Sequence, residues 1–130
     1  MIFTPPKRDI EEIVADIGIF EQFENSKVLI TGATGFVGTW LSRSLIAANM
    51  KYELGMQIYL LSRKASSLDS IKQSNDLHFV SHDLRNQLPS NLPEFNYVFH
   101  TATPSQPSTG GNESKSVYEI SSTGTNNLLT

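Results

Sequence analysis

The sequence predicts an α/β chain built on a doubly wound parallel sheet. Four short runs of mainly β-branched and aliphatic residues, at 27–31, 57–62, 77–81 and 97–101, predict strands, and helical patterns alternate with them. A glycine-rich turn at 32–38 joins the first run directly to an amphipathic helix. Strands that alternate with helices need crossover connections, and right-handed crossovers place the strands side by side in parallel.

Composition limits the class of protein. The chain has 130 residues, a formal net charge of -3, 38% hydrophobic and 18% charged residues, which suits one globular core rather than a disordered chain. Zero cysteines exclude disulfides, cysteine-ligated zinc, iron–sulfur clusters and thiol catalysis. No apolar run approaches the roughly 18 residues of a membrane span, and neither a signal-peptide pattern nor a basic cluster is present. These features predict a cytoplasmic chain with neither a membrane nor a nucleic-acid partner.

The segment 1–26 is predicted to form a helical extension that precedes the sheet. Asp9 is placed as an N-cap, and Glu12 follows it at the spacing of a capping box. Apolar residues then recur on one helical face, namely Ile10, Ile13, Val14, Ile17 and Phe20. The pattern favours a helix that packs against the sheet, with partner binding as the alternative.

Three further helices are expected between and after the strands. The first begins at Phe36, presents an apolar face and stops at Asn49. The members of that face are Val37, Trp40, Leu41, Leu45 and Ala48. A short helix fits 67–72. A last helix runs from about 113 to the end of the chain, with Val117, Ile120, Gly124 and Leu128 facing inward.

The strongest functional signal is the turn at 32–38, which has the pattern G-x-x-G-x-x-G between a strand and a helix. The first glycine, Gly32, permits a sharp turn with backbone angles that side chains disfavour. The second, Gly35, lets the backbone approach a pyrophosphate, and the third, Gly38, lets the helix pack closely on the sheet. The helix N-terminus then presents N–H groups and a positive dipole end to the anion. The pattern predicts a dinucleotide site, with a purely structural strand–turn–helix as the alternative.

Four landmarks in order resemble the extended short-chain dehydrogenase/reductase family, which includes nucleotide-sugar epimerases, dehydratases and related reductases. They are the stretch 28–38, Ser-His-Asp-Leu at 81–84, His-Thr-Ala-Thr at 100–103 and Gly-Thr-Asn-Asn-Leu-Leu at 124–129. The resemblance covers 27–130, and it implies a Rossmann-type domain over those residues. It also implies a nicotinamide dinucleotide cofactor and a nucleotide-sugar substrate.

The resemblance further implies a cofactor site along the carboxyl ends of the strands. In the family, an Asp-Leu pair after the third strand contacts the adenine, and small residues after the fourth strand line the pyrophosphate and the nicotinamide ribose. The matching residues are Gly32, Thr34, Gly35, Phe36, Val37 and Gly38 in the turn, Ser62 and Arg63 after the second strand, Asp83 and Leu84 after the third, and Thr101, Ala102 and Thr103 after the fourth. The pattern favours a structural role for His100 over a proton shuttle. No catalytic residue is assigned, and three histidines without paired spacing do not predict a metal site.

The end of the second strand favours NADP over NAD. A site for NAD usually places an acidic residue there to bind the 2′-hydroxyl of the adenosine ribose. This chain has Ser62, Arg63 and Lys64 instead, and it has no acidic residue between 54 and 63. An arginine can bind a 2′-phosphate through its fork of donors. The alternative is that Arg63 and Lys64 only begin a solvated loop.

Two features depart from the family pattern. Ser121 stands three residues before the Gly-Thr pair, where the family usually has an asparagine that helps to hold the cofactor region. In addition, the catalytic Tyr-x-x-x-Lys pair of the family occurs nowhere in the chain.

The chain also ends at Thr130, within the last predicted helix. We therefore expect an N-terminal part of a longer enzyme, with about four strands of the sheet. We expect this part to be inactive alone and to form homo-oligomers through an exposed fourth strand. Two other hypotheses remain open, which are a non-catalytic module that senses NADP(H) and a structural subunit with an empty site.

Overall fold

The computed structural model describes residues 4–63, 74–101 and 125–129. Its helical elements are α1 (Lys7–Ile13), a 3-10 helix (Gly18–Phe23), α2 (Phe36–Tyr52) and α3 (Thr125–Leu129). Its strands are β1 (Lys27–Thr31), β2 (Gln57–Ser62), β3 (Leu77–Ser81) and β4 (Tyr97–His100). In the described part of the chain, no helix is both long enough and apolar enough to cross a membrane.

The four strands form one sheet in the order β3-β2-β1-β4, and every pair is parallel. This confirms the predicted α/β class with a parallel sheet, and the order is that of the first four strands of a Rossmann-type sheet. The first three strands have the predicted bounds, whereas β4 ends one residue early, at His100. Among the described residues, β4 lies at one edge of the sheet and pairs with β1. Self-association through that edge stays a prediction.

The sheet is covered by side chains on both faces. One face carries Val28 and Ile30 from β1 with Ile58 and Leu60 from β2, and it packs against α2 and the N-terminal segment. The other face carries Leu29 and Leu61, which pack with the loop residue Leu84 and with Leu128 of α3. Every residue of β1 after Lys27 is buried. This two-sided burial explains why the sequence of β1 is a continuous rather than an alternating apolar run.

The N-terminal helix is shorter than the apolar spacing predicted. It starts at Lys7, so Asp9 lies within its first turn and the N-cap position belongs to Pro6. The predicted capping box is therefore wrong. The helix ends at Ile13, whose side chain is exposed, so the prediction of one continuous helix with an apolar face from Ile10 to Phe20 is also wrong. The carboxylate of Asp16 accepts a hydrogen bond from the N–H of Gly18 (3.0 Å), and this local turn competes with helix continuation.

The same segment nonetheless packs into the core, as predicted. The Val14 carbonyl accepts hydrogen bonds from the hydroxyl of Tyr52 (2.5 Å) and from Lys51 Nζ (3.4 Å), both at the end of α2. The Phe23 ring meets the Tyr97 ring edge-on, with 4.8 Å between centroids. The segment thus contacts both α2 and β4. The division of the chain at residue 26 stays a prediction.

The buried face of α2 also differs from the predicted one. Leu45 and Ala48 are buried as expected, but Val37 is 61% exposed, because small and polar residues form most of the buried side. That side consists of Gly38, Thr39, Ser42, Ser44, Leu45, Ala48 and Asn49. Small side chains let the helix axis approach the sheet closely, which a row of large apolar residues would prevent.

Asn49 does not end the helix, which continues for another three residues to Tyr52. Its buried amide instead donates to the carbonyl of Met56 (3.1 Å) and accepts from the Met56 N–H (2.9 Å). The helix ends where Glu53 adopts the left-handed conformation and its N–H bonds back to the Asn49 carbonyl. Asn49 therefore connects α2 to the start of β2.

Two predicted helical segments lie outside the described residues. They are the short helix at 67–72 and the part of the last helix before residue 125. The described end of that last helix is α3, and Leu128 packs inward as expected.

Replacing Asn49 tests its connecting role. We expect Asn49→Ala to lower the free energy of unfolding by about 2–4 kcal/mol, because both backbone groups of the buried Met56 lose their partners. The measurement is urea denaturation. Met50→Ala is the matched control on the same helix, since Met50 is 76% exposed. Equal losses in the two variants would contradict the assignment.

Candidate functional site

The predicted site residues converge on the carboxyl edge of the sheet. The glycine turn follows β1, Ser62 ends β2, Asp83 follows β3 and Thr101 follows β4. Ligands of open parallel sheets bind at this edge, beside the point where the strand order reverses, which is here between β1 and β4. Two further predicted residues, Ala102 and Thr103, lie outside the described residues.

The glycine turn has the geometry that its sequence predicts. Gly32 has a φ of 66°, which side chains disfavour, and it turns the chain off β1. Gly38 lies against the backbone of Gly32. A Cβ at Gly38 would overlap the Gly32 carbonyl oxygen and would come within 2.9 Å of the Thr101 hydroxyl oxygen. The first helical turn of α2 therefore sits directly on the end of β1 because residue 38 has no side chain.

Among the described residues, no side chain caps the N-terminus of α2 at this edge. Gly35 occupies the N-cap position in an extended conformation and supplies no side-chain cap. Gly35 itself is exposed, and Phe36 and Val37 in the first turn are 62% and 61% exposed. The first turn of an α-helix leaves N–H groups without an intrahelical partner, and the helix dipole makes this end positive. An anion can therefore reach backbone donors here.

A hydrogen-bond cluster fastens the end of β4 to the base of the turn. The Thr101 hydroxyl donates to the Thr31 carbonyl (2.6 Å), and the Thr101 N–H reaches both the Thr31 carbonyl (3.2 Å) and its hydroxyl oxygen (3.1 Å). Thr31 is fully buried. The Thr101 side chain thus holds two strand ends together, in addition to lying where the cofactor was predicted.

His100 completes this cluster. Its Nδ1 lies 2.7 Å from the Thr31 hydroxyl oxygen. That oxygen also accepts the Thr101 N–H, and its own proton is available to Nδ1 when the ring is neutral with its proton on Nε2. Burial lowers the pKa of His100, which favours the same neutral form. These contacts support the structural role that the sequence favours for His100.

The end of β2 divides into a buried residue and an exposed one. Ser62 is buried, and its hydroxyl shares a hydrogen bond with the hydroxyl of Thr34 in the turn (3.2 Å). The side chain of Ser62 therefore supports the turn. Arg63 follows it and is exposed, while its carbonyl accepts a hydrogen bond from the Ser81 hydroxyl (3.3 Å). Arg63 therefore presents an exposed positive charge at this edge.

Asp83 forms a local turn. Its Oδ1 accepts the backbone N–H of Arg85 (3.0 Å), and its carboxylate pairs with the Arg85 guanidinium, with 2.6 Å from Nη2 to Oδ2. The hydrogen bonds from Arg85 lower the pKa of Asp83 to about 2. Asp83 therefore stabilises the turn after β3. Its predicted contact with the adenine stays a prediction.

Three residues with a part in this edge were missed from the sequence. Thr31 anchors β4, Arg85 clamps Asp83, and Asn127 of α3 donates to the carbonyls of Leu84 (2.7 Å) and Asn86 (3.0 Å). A polar residue at the end of a buried strand and an arginine two positions after an aspartate are weak signals. Asn127 lies in one of the four landmark segments, but its partners are over forty residues away in the chain.

Comparison with known proteins identifies one family. The family model described as GDP-mannose 4,6 dehydratase matches residues 29–130. The match thus begins within β1 and contains the glycine turn, all four strand ends and α3. No curated protein matches the chain.

The close contact between the turn and α2 can be tested with Gly38→Ala. We expect a loss of about 1–3 kcal/mol in the free energy of unfolding, because a methyl group there must displace backbone rather than a flexible side chain. Gly35→Ala is the control, since a Cβ at Gly35 would lie 3.3 Å from the Gly32 carbonyl oxygen. Chemical denaturation of both variants decides. A Gly38→Ala protein as stable as Gly35→Ala would refute this packing argument.

The pair between Asp83 and Arg85 predicts a pH dependence. The pKa of Asp83 falls from 3.8 to about 2 on folding, so its ionisation stabilises the fold above pH 3.8. That contribution is lost as the pH falls toward 2. Near neutral pH, we expect the free energy of unfolding of the wild type to be larger than that of Asp83→Asn by up to about 1 kcal/mol, which is the range for a partly exposed ion pair. Unfolding curves at several pH values measure the gap, and a gap that stays constant down to pH 2 would contradict the expectation.

Proposed function

The chain belongs to the GDP-mannose 4,6 dehydratase family, and from that premise we propose that its carboxyl edge binds the adenosine and pyrophosphate half of NADP(H). The family implies a nicotinamide dinucleotide cofactor and a nucleotide-sugar substrate. The proposed activity of the complete enzyme is the epimerisation, dehydration or reduction of a nucleotide sugar by hydride transfer. When bound, the nicotinamide supplies the hydride acceptor or donor.

The observation that carries the proposal is the N-terminus of α2 above the glycine turn, which no side chain of the described residues caps. Gly32 turns the chain off the strand, and Gly38 brings the first helical turn onto the strand end. No side chain at the N-cap position competes for the N–H groups. A pyrophosphate placed there would accept hydrogen bonds from backbone donors and would meet the positive end of a 17-residue helix. The residues present therefore fit the group that the family implies.

The preference for NADP(H) is supported by the charges at the ends of β2 and β3. Arg63 is exposed immediately after Ser62, and no acidic residue precedes it in the strand. Asp83 supplies a negative charge at the end of the neighbouring strand, but the Arg85 guanidinium pairs with it at 2.6 Å. A 2′-phosphate near Arg63 would thus meet a guanidinium, while the nearby Asp83 carboxylate is already paired with Arg85.

The remaining cofactor contacts follow the resemblance. We propose that Asp83 and the backbone of Leu84 bind the adenine, and that Thr101 lies beside the pyrophosphate. The Leu84 side chain is buried beneath this turn, which leaves its backbone to do the binding. Phe36 and Val37 present exposed apolar surface next to the turn, and we assign them to the rim of the same site.

The proposal gives these residues the task of binding and orienting the cofactor. The sequence contains no Tyr-x-x-x-Lys pair, so proton transfer is not assigned to any residue of this chain. The absence of that pair also suits the second candidate, a non-catalytic module that senses NADP(H). Turnover of a nucleotide sugar by a protein that contains this chain would exclude the sensor.

Calorimetric titration with NADP+ and, separately, NAD+ tests the proposal. We expect about tenfold tighter binding of NADP+, which corresponds to one charge-assisted contact of about 1.4 kcal/mol. Arg63→Ala should remove this preference and leave the affinity for NAD+ unchanged. Arg8→Ala is the control, because Arg8 is an exposed arginine on α1. Failure to bind either dinucleotide would overturn the proposed function, and an unaltered preference in Arg63→Ala would overturn the role of Arg63.

A further inference from the structure

Arg85 and Asp83 form the shortest ion pair among the described residues, two positions apart in the chain. Arg85 Nε lies 3.1 Å from Oδ1 and 3.0 Å from Oδ2, and Nη2 lies 2.6 Å from Oδ2. The backbone N–H of Arg85 adds a bond to Oδ1 (3.0 Å). Both side chains are partly buried, with 38% and 24% of their surfaces exposed for Arg85 and Asp83. One residue thus grips the carboxylate with its side chain and its backbone.

The turn that carries this pair is held from outside as well. The Asn86 N–H donates to the Asp83 carbonyl (3.0 Å), and Asn127 of α3 donates to the carbonyls of Leu84 (2.7 Å) and Asn86 (3.0 Å). The Leu84 side chain is 3% exposed, within the core cluster formed with Leu29 and Leu61. The backbone of the turn is therefore anchored independently of Arg85. Removing the Arg85 side chain should therefore change the orientation and the pKa of the Asp83 carboxylate more than the backbone conformation of the turn.

The carboxylate remains accessible to one more donor. Arg85 directs three N–H groups at it, one from the backbone and two from the guanidinium, and because Nε lies near both oxygens these groups make four contacts. The Asp83 side chain is nonetheless 24% exposed, so a further N–H can reach its oxygens from solvent. An exocyclic amino group of a purine is a donor of that kind.

We propose that Arg85 is a positioning residue for base recognition, which holds the Asp83 carboxylate ionised and oriented toward the 6-amino group of adenine. This inference rests on the proposed function, because it requires the dinucleotide at this edge. Under this proposal, Arg85 and Arg63 have different roles. Arg85 acts on the base through Asp83, and Arg63 acts on the 2′-phosphate.

The direct test compares NADP+ with its hypoxanthine counterpart, in which oxygen replaces the 6-amino group. We expect the wild type to bind the adenine form about tenfold tighter, the effect of one hydrogen bond to a charged group. In Arg85→Ala this ratio should fall to about two- to threefold, since Asp83 is neither fixed nor fully ionised at low pH. Arg85→Lys retains the charge without the fork and should give an intermediate ratio. Arg8→Ala is the control and should keep the base preference, because Arg8 is an exposed arginine on α1.

Two further readouts separate positioning from a general structural role. In an Asp83→Ala background, adding Arg85→Ala should leave the base preference unchanged, because Arg85 acts through Asp83. On acidification, the base preference should begin to decline at a higher pH in Arg85→Ala than in the wild type, because the pKa of Asp83 is about 2 beside Arg85 and returns toward 3.8 without it. Circular dichroism checks that each variant is folded. If Arg85→Ala does not fold, the base preference of Arg85→Lys and its pH dependence test the role of Arg85 instead.

The outcomes are distinguishable. An unchanged base preference in Arg85→Ala and Arg85→Lys, or an additive effect in the double variant, overturns the role of Arg85 and leaves the proposed function standing. A folded wild type that binds neither the adenine nor the hypoxanthine dinucleotide overturns both.

Discussion

The contact between Gly38 and the carbonyl of Gly32 is the constraint on which the carboxyl edge depends. It brings the N-terminus of α2 onto the end of β1, and the Thr101 hydroxyl oxygen stands at the same point. Because any side chain at residue 38 would meet backbone, the helix can approach this closely only through glycine. The small buried residues that follow on α2, such as Ser42, continue the close approach along the sheet. The position of the helix N-terminus directly above the end of β1 is a consequence of this packing.

Around that contact, polar side chains serve mainly to hold backbone in place. Thr101 ties β4 to β1, Ser62 ties the end of β2 to Thr34, and Asn127 ties α3 to the turn after β3. These contacts fix the strand ends and the turn after β3 through uncharged side chains. In the described part of the chain, the first turn of α2 and the exposed guanidinium of Arg63 are features of this edge that can meet an anion. Such an edge is suited to binding and orienting a phosphate-bearing ligand.

Much of the fold follows from local sequence, and the errors have physical causes. The strands were predicted closely because residues buried on both faces form uninterrupted apolar runs, as in β1. The N-terminal helix was predicted too long because its apolar spacing continues past Ile13, whereas the Asp16 turn redirects the chain. Val37 was assigned to the wrong face for a related reason. A buried helix face made of Gly38, Ser42 and Asn49 has no hydrophobic signature.

The amino-acid sequence by itself determined the class of fold, the position of the glycine turn and the absence of an acidic residue at the end of β2. These are properties of short segments, and local backbone preference and side-chain type are enough to define them. Only the tertiary structure decided which polar residues are engaged with each other, as with Thr31 and His100 or Leu84 and Asn127. Such partners lie tens of residues apart, and their pairing depends on parallel register and on helix docking. No local pattern encodes either of these.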